Sequence, residues 1–171
     1  METNLFDLQN IDSNTLMRRA FSIAVSSREK GNHPFGALLC DLDGNILLEA
    51  ENTVHTENDV TCHAEQNLMS AASRKFSDAE RSLLVMVTSA EPCAMCSGAT
   101  FWNGVRAVIY GLPEFELTQM CTSSTVLHPA VLNVPCRQVF GSSPRHPTQV
   151  VGPLLLEEAR VPHAGFWGAG Y

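Results

Sequence analysis

Positive charge is scarce in this chain. Its 171 residues include 11 lysines and arginines against 18 aspartates and glutamates, and the formal net charge at pH 7 is −7. A protein that binds nucleic acid through its phosphates normally carries a basic face. Here the basic residues are scattered along the sequence. This charge balance weighs against tRNA or DNA as a partner.

Long hydrophobic runs are also missing. The longest apolar runs, such as LLVMV at 83–87, are far shorter than the roughly 20 residues that span a bilayer. The opening METNLFDLQN lacks the basic segment and apolar core of a signal peptide. In a chain of this length without an export signal, the six cysteines favour free thiols or metal ligands over disulfides. We therefore expect a cytoplasmic protein without a membrane partner.

The composition predicts a single domain over 1–171. Hydrophobic residues make up 44% and charged residues 17% of the chain, which is long enough to bury a substantial core. No internal repeat, low-complexity tract or linker divides it. Between residues 64 and 111 the pattern alternates helix, strand, helix, strand, which is typical of an α/β fold with helices packed on a sheet.

Elements outside that stretch are less regular. Ser13 is a candidate cap for a first helix, and 34–52 is typical of two strands joined by a turn at Asp43-Gly44-Asn45. After Gly111 the pattern loosens. There we predict a weak strand at Gln138–Phe140 and a short helix over Pro153–Arg160.

Three side chains suggest a metal site. Cys93 and Cys96 face the same way on one helical turn, and Pro92 suits the first turn of a helix. The helix N-terminus lowers thiol pKa values and favours the thiolates that bind zinc. His63 adds an imidazole from the start of another helix. Two sulfur ligands and one nitrogen suit Zn²⁺ better than a hard cation.

The number of ligands favours catalysis over a structural role. Structural zinc sites are normally closed by four protein ligands, whereas catalytic sites keep a position for water. Cys62 is the nearest fourth candidate, but on a helix it would point about 100° away from His63. Zinc lowers the pKa of a bound water to about 7. Glu65, beside the open position, would then move protons from water to a ring nitrogen and a leaving amine.

His63-Ala64-Glu65 followed by Pro92-Cys93-Ala94-Met95-Cys96 is the H-x-E and P-C-x-x-C signature of zinc deaminases. The chain therefore resembles the cytidine-deaminase-like superfamily. The segments HPFGALL (33–39), ENTVHTENDVTCHAE (51–65) and SAEPCAMCSGATFWNGVRAVIYG (89–111) are most similar to bacterial-type guanine deaminases and related nucleoside deaminases. The resemblance implies a three-layer α/β/α fold with a mixed sheet of about five strands, a homodimer, and one zinc per subunit.

The resemblance also implies substrate-binding residues. Asn52 would hydrogen-bond the edge of the base, although an asparagine here could equally bond local backbone. Phe35 would pack against the base, and Trp102 would form a pocket wall, with core packing as the alternative. Ala64 would offer its backbone N–H at a helix start.

One departure from the guanine-deaminase pattern leaves the substrate open. Those enzymes carry an aspartate after the strand that contains Val108, whereas 111–130 holds no aspartate. Glu114 or Glu116 could replace it, or either could be a solvated helix residue. Guanine or a related aminopurine or 2-amino heterocycle is the leading substrate class. Adenosine in tRNA and cytosine-type pyrimidines are the alternatives, and a non-enzymatic zinc domain is disfavoured by the intact Glu65.

The chain end, VPHAGFWGAGY at 161–171, is rich in aromatic residues. It could simply pack on its own subunit. The resemblance implies instead a lid over the active site, with Tyr171 near the base. Two further groups receive no catalytic role. Single histidines in polar loops are expected to face solvent, and three remaining cysteines are expected to be small buried hydrophobes. These residues are His33, His55, His128, His146 and His163, and Cys40, Cys121 and Cys136.

Overall fold

In the computed structural model, which describes residues 6–122 and 132–167, five strands form a mixed sheet in the order β2-β1-β3-β4-β5. β1 is antiparallel to both β2 and β3, whereas β3, β4 and β5 run parallel. The predicted mixed sheet of about five strands is confirmed. The strands are β1 (Gly36–Cys40), β2 (Ile46–Glu51), β3 (Val85–Ala90), β4 (Ala107–Leu112) and β5 (Gln149–Val151).

Helices cover both faces of this sheet. Three of them, α1, α6 and α8, share one buried cluster with the sheet, and α3, α5 and α7 pack around a second cluster. The three-layer prediction is therefore confirmed. The helices are α1 (Ser13–Glu29), α2 (Val54–Glu57), α3 (Ala64–Lys75), α4 (Asp78–Arg81), α5 (Ala94–Trp102), α6 (Glu114–Thr122), α7 (Cys136–Gly141) and α8 (Leu156–Arg160), and a 3₁₀ turn follows at Val161–His163.

Alternation along the strands explains the two buried clusters. In β1, Leu38 and Cys40 belong to the cluster under α1, while Ala37 and Leu39 belong to the cluster under α3. Successive side chains of a strand point to opposite faces. Both faces of this strand are covered, so its five residues are all buried.

A glycine lets α1 approach β1 closely. A Cβ atom at Gly36 would lie 2.6 Å from the carbonyl oxygen of Ala20, so a side chain there would push the helix away. The N-cap of α1 lies one residue before the predicted cap. Asp12, rather than Ser13, is the N-cap, and it accepts the backbone N–H of Thr15 at 3.1 Å.

The weak strand predicted at Gln138–Phe140 is wrong. That segment lies in α7, where Cys136 and Phe140 are buried one turn apart and Gln138 is exposed. The fifth strand is instead Gln149–Val151, which pairs with β4. In the described part of the chain, every helix is too short or too polar to cross a membrane.

Candidate active site

The three predicted metal ligands lie at the starts of two helices. His63 is the N-cap residue of α3, and Cys93 is the N-cap residue of α5, with Cys96 in the first turn. Both caps have an extended backbone. Each side chain therefore projects from the N-terminal end of its helix, where the helix dipole favours thiolates.

The distances among these side chains fit a zinc ion. Tetrahedral zinc, with about 2.1 Å to nitrogen and about 2.3 Å to sulfur, places these ligand atoms about 3.6 Å apart. The Sγ atoms of Cys93 and Cys96 lie 3.7 and 3.6 Å from Nδ1 of His63. All three ligand atoms lie within 4.8 Å of one another, and among the described residues no other such group occurs. The donor set and its spacing both suit zinc.

The thiols are electrostatically coupled. A hydrogen bond from Cys96, together with the one to His63, lowers the pKa of Cys93 to about 4 despite its burial. For Cys96, the hydrogen bond with Cys93 is the main cause and burial the second, and both raise the pKa of its thiol. The lowered pKa of Cys93 favours the thiolate form, which is the form that binds a metal.

Glu65 lies beside the ligands without joining them. It is only 5% exposed, and Oε1 accepts a hydrogen bond of 2.9 Å from the Thr88 hydroxyl. Burial, and next the charge of Cys93, raise the pKa of this carboxyl above its ordinary value. A carboxyl group with a raised pKa is suited to taking up and releasing protons.

A cavity of about 280 Å³ opens in front of these groups. His63, Glu65 and Cys93 form one side of it. Glu91 and Glu114 add two further carboxyl groups. The remaining lining is largely apolar, with an aromatic wall made by His33, Phe35 and Trp167.

Glu114, not Glu116, faces this cavity. Glu114 is 4% exposed, and its backbone N–H donates to Oε2 of Glu91 at 3.0 Å. Burial first, and then the nearby charges of Cys93 and Glu91, raise the pKa of Glu114 to about 7. Glu116 is instead bound by two hydrogen bonds from Arg160, at 2.8 and 3.0 Å.

Asn52 has one satisfied and one unsatisfied amide atom. Its side chain is fully buried, and Oδ1 accepts the backbone N–H of Val54 at 3.1 Å. Nδ2 has no hydrogen-bond partner within the described residues. The bond to local backbone therefore explains the position of Oδ1 only. The N–H groups of Nδ2 are still available to donate to a ligand. Asn52 itself is not part of the cavity lining.

The other predicted substrate residues divide into three outcomes. Phe35 lines the cavity, and Ala64 is the first, fully buried residue of α3. Trp102 is 83% exposed and does not line the cavity. The prediction of a pocket wall at Trp102 is wrong for this chain's own cavity, and so is the core alternative, because α5 turns that side chain outward. Tyr171 lies outside the described residues.

Two histidines differ from the expectation that they face solvent. His33 lines the cavity, and His163 is 2% exposed. The expectation of two solvent-facing loop histidines is therefore wrong for both. Burial lowers the pKa of each to about 4. Only the position of His33 directly before Pro34-Phe35 hinted at a site. The expectation of burial for Cys40, Cys121 and Cys136 is confirmed.

Three ligands at helix starts, with a buried carboxyl group beside them in a cavity, are typical of zinc hydrolases. Comparison with known proteins narrows the class. Residues 11–112 match the family described as the cytidine and deoxycytidylate deaminase zinc-binding region. The chain belongs to this deaminase family; it is a hydrolytic enzyme whose cofactor is zinc.

Its relatives act on different substrates. It is 39% identical to a probable cytosine deaminase of Schizosaccharomyces pombe, over 90% of this chain and 91% of the relative. It is 36% identical to the guanine deaminase of Bacillus subtilis, over 61% and 67% of the two chains. A tRNA-specific adenosine deaminase of Bacillus subtilis is 32% identical over 83% and 80%. The structure of guanine deaminase from Nitrosomonas europaea shares the fold, with a TM-score of 0.72 at 22% identity, over 89% of this chain and 82% of that one.

Proposed function

We propose that this enzyme deaminates a free nucleobase, with guanine or a related aminopurine as its leading substrate. The observation that carries the proposal is the pair of buried carboxyl groups, Glu65 and Glu114, in one cavity with the zinc ligands His63 and Cys93. At about 280 Å³ the cavity is at the small end of ligand sites, which are typically about 300–1,000 Å³. That size suits a base better than a nucleotide.

Protein groups carry the proton transfers in this mechanism. Zinc held by His63, Cys93 and Cys96 would supply an activated water at neutral pH. Glu65 accepts a proton from the attacking water and passes it to the ring nitrogen next to the amino carbon. A second proton transfer, to the exocyclic nitrogen, lets ammonia leave as the carbonyl forms. The Thr88 hydroxyl holds one oxygen of Glu65, which directs the other oxygen to this work.

Recognition of the ring uses groups of both hydrogen-bonding types. Glu114, which lines the cavity, accepts a ring N–H. We assign Nδ2 of Asn52 as the donor to a ring acceptor because it is a buried amide nitrogen without a partner among the described residues, although Asn52 is not among the residues that line the cavity. Phe35 packs against the base, and the Ala64 N–H, at the start of α3, adds a second donor. Guanine presents N–H donors and carbonyl or ring-nitrogen acceptors around both rings. It can therefore satisfy more of these buried groups than a pyrimidine can.

Cytosine is the second candidate substrate. The observation in its favour is the similarity to the probable cytosine deaminase of Schizosaccharomyces pombe, which extends over nearly the whole chain. Adenosine in tRNA is disfavoured by the net charge of −7, because tRNA binding depends on basic side chains.

A homodimer with a C-terminal lid completes the proposal. The resemblance to guanine deaminases supports the dimer, and Trp167 in the cavity lining supports a lid over 161–171. The exposed Trp102 would suit an interface between subunits. Light scattering coupled to size-exclusion chromatography tests the dimer, and a monomeric active enzyme contradicts it.

Ammonia release tests the proposed substrate. Zinc-loaded enzyme should be assayed with guanine, 2,6-diaminopurine, cytosine, guanosine and unmodified tRNA, with Glu65→Gln as the blank for each. We expect the highest kcat/KM for an aminopurine base. A preference for cytosine would support the second candidate instead, and activity confined to tRNA would overturn the proposal.

A further inference from the structure

Residues 161–167, here called the C-terminal segment, bring Trp167 to the cavity. Trp167 is 8% exposed and packs in the cluster beneath α1. Its ring also lines the cavity beside Phe35, with the two ring centres 6.0 Å apart. A short segment of this kind has little regular backbone bonding of its own, so its path depends on side-chain contacts.

Arg28 provides the first of those contacts. It lies near the end of α1 and donates through Nη1 to the carbonyl oxygens of Pro162 and Ala164, at 2.7 and 2.9 Å. The guanidinium also lies 5.5 Å from the ring centre of Phe166, within range of a cation–π contact. One side chain therefore contacts three residues in the last turn before Trp167.

His163 provides the second side-chain contact that holds the C-terminal segment. The indole N–H of Trp167 donates to Nδ1 of His163 at 3.2 Å, and the planes of the two rings lie within 13° of parallel. Phe35 packs against the imidazole as well as against the indole, with its ring centre 5.2 Å from that of His163. Burial, and next the charge of Arg28, lower the pKa of His163 to about 4. The imidazole is therefore neutral at pH 7 and can accept the indole hydrogen bond.

We propose that Arg28 and His163 are positioning residues that hold Trp167 as a wall of the substrate cavity and thereby set the affinity for the ring of the substrate. The proposal rests on the proposed function for its kinetic consequence only. Neither side chain takes part in the chemistry. Their loss should weaken ring binding while the zinc site and Glu65 continue to work.

The chain offers a direct optical test. It contains two tryptophans, of which Trp102 is 83% exposed and Trp167 is 8% exposed. In a Trp102→Phe background the emission comes from Trp167 alone. Arg28→Met should then shift the emission to longer wavelength and increase quenching by acrylamide. Arg28→Lys, whose ammonium can reach the same carbonyl oxygens, should recover most of the original spectrum.

Arg18→Met is the matched control. Arg18 lies on the same helix and pairs with Glu158 of α8 at 2.8 Å, outside the C-terminal segment. It should leave both emission and quenching unchanged. If Arg28→Met also left them unchanged, or if Arg18→Met altered them equally, the positioning role would be overturned. No substrate is needed for this measurement, so it stands even if the proposed function fails.

Kinetics then test the consequence for binding. In Arg28→Met and in His163→Phe, KM should rise about tenfold, the effect of losing one strong hydrogen bond, while kcat and zinc content stay near their original values. Trp167→Phe keeps a ring but loses the indole N–H, so combining it with His163→Phe should add little to either single change. An unchanged KM, or a fall in kcat with KM constant, would overturn the assignment.

Discussion

Replacing Glu114 by glutamine separates a substrate-reading role from a structural one. The side chain keeps its size but loses its negative charge. A carboxylate bonded to a ring N–H contributes about 1.5–3 kcal/mol, so kcat/KM should fall by about 10- to 100-fold. Zinc content should not change, because Glu114 is not among the ligands that cluster with His63.

Stability should respond in the opposite direction. The pKa of Glu114 is raised to about 7 from an ordinary value of 4.5, so the folded state holds its proton more tightly than the unfolded state does. Ionisation of the group therefore costs stability, and that cost grows as pH rises from about 4.5 to 7. Glutamine removes the cost, and the melting temperature at pH 7.5 should be unchanged or higher.

Glu116→Gln is the control for this pair of measurements. Glu116 lies on the same helix but pairs with the partly exposed Arg160 and does not line the cavity. Its loss should leave kcat/KM unchanged and lower stability by no more than about 1 kcal/mol. Steady-state ammonia release and thermal unfolding measure both quantities. A Glu114→Gln enzyme with undiminished kcat/KM on its best substrate would exclude Glu114 as a substrate-binding group.

Three other changes test further parts of the account. Asn52→Ala should lower kcat/KM by the loss of one buried hydrogen bond, about 1–3 kcal/mol, with little effect on melting; a large loss of stability with unchanged kinetics would favour the backbone role of Oδ1. Deleting 164–171 should keep the zinc and cut kcat/KM sharply, and full activity would exclude the lid. His163 has a folded pKa of about 4 against 6.5 when unfolded, so its protonation destabilises the fold as pH falls between those values. Between pH 7 and pH 5, the melting temperature of His163→Phe should therefore fall by less than that of the original chain. Equal falls in the two proteins would contradict this.

The zinc site could be predicted because its ligands are local. His63 and Glu65 lie two residues apart at a helix start, and Cys93 and Cys96 lie one turn apart at another. Such spacings fix which side chains share a direction before any tertiary structure is known. Only the meeting of the two helices is nonlocal, and the alternation of helix and strand between 64 and 111 already indicated it.

Features that depend on distant packing were not predictable. Which face of α5 is buried is decided by the helices beside it, so Trp102 was assigned inward although it lies outward. β5 has only three residues and is fixed as a strand by pairing with β4. The burial of His163 follows from the packing of its 3₁₀ turn on α1 and from the contact with Phe35, both of which are far away in sequence. The choice between Glu114 and Glu116 likewise depended on where Arg160 lies.

In the proposed mechanism, Glu65 moves protons for hydrolytic deamination beside a zinc held by His63, Cys93 and Cys96. The most direct measurement compares ammonia release and bound zinc, chain for chain, in the original enzyme and in Glu65→Gln. We expect about one zinc per chain in both proteins and a turnover at least ~10²-fold lower in the variant. Near-native turnover in Glu65→Gln with its zinc retained would contradict this mechanism.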